Sequence, residues 1–160
     1  MAAHFKWLDV LENWSKSAQE LASLLEQYIV GLEYQIKQRD QQGFSSTASA
    51  LFRIADDFYS ALGVDSEQKV LDAVAEAAGI DRSDLRTLGD THITAPTDCI
   101  TTAYDFSRRF GEKEGSLTDK DWSNISELAV RLNSCLDEID EMIKWLEKFE
   151  MKMLAETRRY

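Results

Sequence analysis

Residues 118–154, TDKDWSNISELAVRLNSCLDEIDEMIKWLEKFEMKML, decide the fold. Trp122, Ile125, Ala129, Leu132, Leu136, Ile139, Ile143 and Leu146 alternate three and four residues apart, which places them on one face of an α-helix. Leu128, Cys135, Met142 and Phe149 add a second row at seven-residue steps. Thr118 offers an N-cap oxygen, with Asp121 three residues on. Glu150 stands where an apolar residue is due, and Met153 and Leu154 resume the seam. Lys148, Lys152, Arg158 and Arg159 fall near the C-terminal end, where the helix dipole favours cations.

The N-terminal region carries a matching signal. From about His4 to about Gln42, Leu8, Leu11, Ala18, Ala22, Leu25, Ile29, Leu32 and Ile36 keep the same spacing, interrupted only by Ser15. Trp7, Trp14, Leu21 and Tyr28 flank that row, so the apolar face is wider than a two-stranded seam needs. Gly43 is expected to stop this helix. Each long helix then has about 36 to 40 residues and spans roughly 54 to 60 Å.

Shorter helices fill the middle. One is expected from about Ser46 to Leu62, capped by Ser45, Ser46 or Thr47 and ended by Gly63 and Val64 in a Schellman-like turn. A second is expected from about Ser66 to Ala78, with Asp65 as cap, Gln68 completing the box, and Gly79 and Ile80 as its stop. Asp81 to Leu88 reads as one or two turns, and Gly89 to Ala95 as a loop. Thr94 and Pro96 open another helix that ends near Gly111, and Glu112 to Leu117 is a polar connection. The fold class is therefore all-α: an elongated helical bundle, residues 1–160 as a single domain. Two long antiparallel amphipathic helices lie at its ends in sequence, with three or so shorter helices between them.

Bulk composition agrees. The 160 residues hold one proline and seven glycines, and 44% are hydrophobic, a content that supports a packed core and uninterrupted helices. The net charge of −11 repels phosphates and anionic lipid, so direct nucleic-acid binding is disfavoured and a basic protein surface is a compatible partner. Cys99 and Cys135 read as small buried hydrophobes of a reducing compartment, too few for a disulfide framework. Lys6, Asp9 and Glu12 break any signal-like apolar core at the N-terminus, and no uncharged stretch approaches a membrane span. The sequons at Asn13 and Asn124 fall inside expected helices, and the expected location is cytoplasmic.

Signatures of chemistry are sparse. The sequence holds no glycine-rich phosphate loop, no Cys-x-x-Cys, no His-Glu-x-x-His and no Gly-x-Ser-x-Gly, and no metal or other cofactor is expected. Asp137, Glu138, Asp140 and Glu141 are the densest acidic run. With Leu136 and Ile139 facing inward, Asp137, Glu138 and Glu141 point outward, as a solvated face or a docking patch for a basic partner. Trp145 falls just outside the best face of its helix and marks a candidate binding surface, joined by Glu150, which could meet a cation of another chain.

Arg86-Thr-Leu-Gly-Asp-Thr-His92 places an arginine and a histidine with five residues between them. This spacing resembles that of the HEPN ribonucleases, which are also small helical bundles. The resemblance implies arginine holding a phosphate while histidine moves a proton. It covers seven residues, and Gly89 interrupts it.

Three functional classes follow. The leading expectation is a non-catalytic protein–protein interaction module: an adaptor, an accessory subunit, or an inhibitor of a larger machine, such as those that block phage-defence or toxin machinery. Its candidate contact residues are Trp145, Asp137, Glu138, Glu141 and Glu150. One alternative is a small HEPN-like ribonuclease using Arg86 and His92. The other is a structural homo-oligomeric coiled-coil protein.

Overall fold

The computed structural model describes residues 5–88, 92–111 and 113–157. The expected helix start at His4, loop residues 89–91, Glu112, and the terminal cations Arg158 and Arg159 lie outside them. Helices account for all regular structure among the described residues: α1 (Lys6–Gln38), α2 (Gln41–Leu62), α3 (Val64–Ala78), α4 (Ala95–Phe110) and α5 (Asp119–Thr157). A 3₁₀ helix (Arg82–Leu88) and a 3₁₀ turn (His92–Thr94) join α3 to α4.

The two long helices are antiparallel neighbours. Trp14 of α1 donates its indole N–H to the Met142 sulfur of α5 at 3.4 Å, while Ile36 and Ala129 share a groove farther along the same interface. With 33 and 39 residues, α1 and α5 are about 50 and 58 Å long. α2 returns along the second half of α1, and α3 continues along its first half. α4 packs against both α2 and α5, so α1, α2, α4 and α5 close around one core while α3 extends the bundle.

That core follows the three-four spacing. Leu11, Leu21, Leu25 and Leu32 of α1, Leu51 of α2, and Ile125, Leu132 and Ile139 of α5 are fully buried. Each such side chain contributes about 1.5–3 kcal/mol on leaving water. One end is closed by an aromatic group in which Phe44 lies 5.8 Å from Trp122 and 6.3 Å from Phe110, ring centre to ring centre.

The helix junctions differ from expectation. α1 stops at Gln38, with Arg39 rather than Gly43 in the left-handed region at φ 50°. Asp40 N–H donates to Gln35 C=O at 2.9 Å, closing the turn. Asp40, not Ser45, Ser46 or Thr47, then caps α2 by accepting the Gly43 N–H at 3.0 Å. Gly43 lies inside α2, where its lack of a Cβ leaves room for the capping Asp40 carboxylate, which an added Cβ would meet at 2.4 Å.

Gly63 is also not the left-handed stop expected of it. Its backbone is extended, at φ −75° and ψ −173°. What it permits is close approach, since an added Cβ would meet the Tyr59 carbonyl oxygen at 2.4 Å. α3 consequently starts at Val64, one residue after α2, and Asp65 lies in its first turn rather than at its cap. Gly79 does adopt the left-handed stop, φ 67°, with Ile80 N–H donating to Ala75 C=O. Thr118 and Asp121 form the reciprocal cap of α5, each backbone N–H donating to the other's side chain at 2.9 and 3.2 Å.

Candidate functional site

The 3₁₀ helix Arg82–Leu88 repeats every three residues, so Leu85 and Leu88 share one stripe and turn toward the bundle. They meet Leu71 and Val74 of α3, Ile93 and Thr94 of the following turn, and Trp145 of α5 around an open groove of about 140 Å³. Trp145 is half-buried, its ring stacked on Phe149 at 5.1 Å and 10°. Phe149, one turn on along α5, thus covers one face of the indole, and Trp145 lines the groove. On the same end of the molecule, Lys6, Trp7 and Val10 of α1 and Lys69, Asp72 and Glu76 of α3 border a larger, charge-rimmed cleft of about 390 Å³.

The same stripe logic separates Arg86 from this groove. Arg86 follows Leu85 by one residue, which turns it about 120° away, and it is exposed. His92 is half-buried in the next turn, beyond residues 89–91. The two residues of the ribonuclease-like motif therefore lie on separate 3₁₀ segments.

Asp137, Glu138, Asp140 and Glu141 stand exposed on α5, and Lys144 pairs with Glu141 at 3.7 Å. Among the described residues, no group of three or more histidine, cysteine, aspartate or glutamate side chains is placed to hold a metal ion. Glu150 lies inside the continuous helix α5 rather than at a frayed end, and among the described residues no ion pair joins it to a cation. It is half-buried at the α1–α5 interface, where burial first, then the charges of Glu12 and Glu147, push its carboxyl up to about 7. Asp121 moves the other way: hydrogen bonds from Lys113 first, then from the Thr118 backbone, hold it down to about 2.

Cys99 of α4 and Cys135 of α5 are both buried. Hydrogen bonding with Cys135, reinforced by burial, raises the Cys99 thiol far above its ordinary value, so it stays protonated and unreactive. Tyr104 is raised by burial and by donating to Asp56 at 2.9 Å.

Two features escaped the sequence reading. One is the groove wall of Leu85 and Leu88, signalled only by two leucines three apart in a polar stretch. The other is the exposure of Val30 and Tyr34 on α1 and of Val130 on α5, apolar side chains that fall off the three-four rows. The charge pairs Glu12–Lys16, Glu33–Lys37 and Glu127–Arg131, spaced four apart, form no ion pairs in the structure. No helix is long and apolar enough to cross a membrane among the described residues.

Comparison with protein-family models, with curated proteins and with solved structures finds no match to this chain.

Proposed function

We propose that this chain is a non-catalytic protein–protein interaction module of the cytoplasm, acting as an adaptor, an accessory subunit or an inhibitor of a larger protein machine. The observation that carries the reading is the Trp145 groove. A half-buried tryptophan, held by stacking on Phe149, opens onto a concave surface lined almost wholly by leucine, valine and isoleucine. Such a rigid aromatic beside an apolar groove is the kind of surface that anchors a partner's apolar side chain. The exposed Asp137, Glu138 and Glu141 lie one to two turns before Trp145 on the same helix and add a negative field that would steer a basic partner toward it.

The test is affinity capture from the native host after nuclease treatment, comparing the unaltered chain with Leu85→Lys and Trp145→Ala. A near-stoichiometric protein captured by the first and lost by both variants supports the reading, provided circular dichroism finds the variants folded. Capture that is indifferent to both changes overturns the assignment of this groove. If no protein is retained, the interaction reading fails as a whole.

A further inference from the structure

Cys99 and Thr102 lie one turn apart on α4, hence on one face of it, and both are completely buried. That face is turned to α5, since the Thr102 hydroxyl lies 3.9 Å from the Cys135 sulfur. Cys99 meets the same sulfur through a side-chain hydrogen bond. The chain has two cysteines, on two different helices, and folding brings them into contact.

The protons of this cluster have a consistent arrangement. Thr102 has a single hydroxyl proton and donates it to the Asp98 carbonyl at 2.7 Å. Its oxygen is therefore the acceptor at Cys135, and the Cys135 S–H is the donor. The Cys135 sulfur in turn accepts the Cys99 S–H. Cys99 keeps its proton as a donor, and that hydrogen bond holds the Cys135 thiol below its ordinary value against the opposing effect of burial. Access separates the two sulfurs in the same sense. Cys99 is fully enclosed, whereas Cys135 is 6% exposed.

We propose that Cys99 and Cys135 are a peroxide-sensitive pair that closes into a disulfide fastening α4 to α5. The Cys135 thiolate attacks one oxygen of hydrogen peroxide and the O–O bond breaks. Sulfur becomes a sulfenic acid, and the departing hydroxide takes up the proton released from Cys135 to leave as water. Cys99 then attacks the oxidised sulfur, and its proton leaves with the sulfenic hydroxyl as a second water. Two thiols and one peroxide thus give one disulfide and two waters, with sulfur oxidised and peroxide reduced. Cys99 reacts with nothing from outside the fold; it meets only what forms on Cys135. A disulfide needs sulfurs about 2 Å apart, and thiols already in hydrogen-bond contact have no side chain between them to displace. Asp98 and Glu138 lie close enough to act on the charge of both sulfurs, which favours a small uncharged oxidant over an anionic one.

Treatment of the full, folded, reduced chain with hydrogen peroxide at micromolar protein concentration tests this. The expected result is loss of both alkylation sites when the treated chain is denatured in iodoacetamide. The peptides carrying residues 99 and 135 should be linked to each other, the chain should run as a monomer on a non-reducing gel, and dithiothreitol should restore both sites. Cys99→Ala should stop at one added oxygen on Cys135, and Cys135→Ala should leave Cys99 unmodified, with circular dichroism establishing that each variant is folded. A treated chain that keeps both thiols open to alkylation overturns the proposal. So does a link between chains, or oxidation of Cys135 to the sulfinic acid without a link. These readings on the unaltered chain decide the matter even where a variant fails to fold.

Discussion

Arg39 occupies a left-handed backbone conformation, φ 50°, that costs a residue with a Cβ about 1 kcal/mol relative to glycine. Its side chain pairs with Asp119, but both partners are largely exposed and the pair is worth little. Arg39→Gly should therefore be more stable than Arg39→Ala by about 1 kcal/mol in urea unfolding, with both variants lacking the pair. Residue type pointed to Gly43 as the stop. The chain turns four residues earlier because Phe44 has to enter the core, which fixes where α2 must begin. Glu150 offers a second residue-scale prediction. Its folded-state carboxyl titrates near 7 against an ordinary 4.5, so the folded state binds that proton more tightly than the unfolded state. Stability is unaffected below the ordinary value, falls as pH rises from 4.5 to 7, and stays reduced above it. Glu150→Gln should match the unaltered chain at low pH. Above neutrality it should exceed it by on the order of 1 kcal/mol, because remaining solvent access screens part of the penalty. Thermal melts across this range check it, and a Glu150→Gln curve parallel to that of the unaltered chain would count against the assignment.

Among the elements, two glycines separate propensity from packing. Gly31 lies within α1, and a Cβ added there meets nothing within 4 Å. Gly31→Ala should stabilise the protein by about 0.5–1 kcal/mol, the difference in helix propensity. Gly63 separates α2 from α3, where an added Cβ would meet backbone oxygen at 2.4 Å. Gly63→Ala should cost about 1–3 kcal/mol, since a carbonyl within a helix cannot step aside. Guanidinium unfolding of both variants gives the two signs. The caps show how much of each element was readable in advance. Thr118 with Asp121, and Gly79 with Ile80, were legible because a local pattern of side chain and backbone completes each of them. The one-residue link at Gly63 was not, because extended glycine and left-handed glycine are identical in sequence and only the packing of α3 against α1 and α2 selects between them.

For the molecule as a whole, Phe44 ties three segments together, contacting Phe106 and Phe110 of α4 and Trp122 of α5 from its place on α2. Phe44→Ala should cost about 3–5 kcal/mol and lower the unfolding midpoint without altering the slope, as a cavity in a shared core does. The all-α class and the two long helices were legible because a three-four apolar spacing over some ten turns has one compact solution. The outward direction of Asp137, Glu138 and Glu141 followed from the same spacing. The proposed contact surfaces were legible only in part. Trp145 stood out by its position, yet its groove is built by leucines of a 3₁₀ segment some sixty residues earlier, and no local pattern links them. Glu150 stood out as a fault in the seam, but its neighbour Glu12 belongs to the opposite end of the chain. The sequence by itself determined the all-helical class, the two long helices and which face of each is apolar, because these depend on spacings of three or four residues. Only the tertiary structure decided where the helices break, which side chains line the grooves and which charges share a neighbourhood, because those depend on contacts between segments that the chain brings together only by folding.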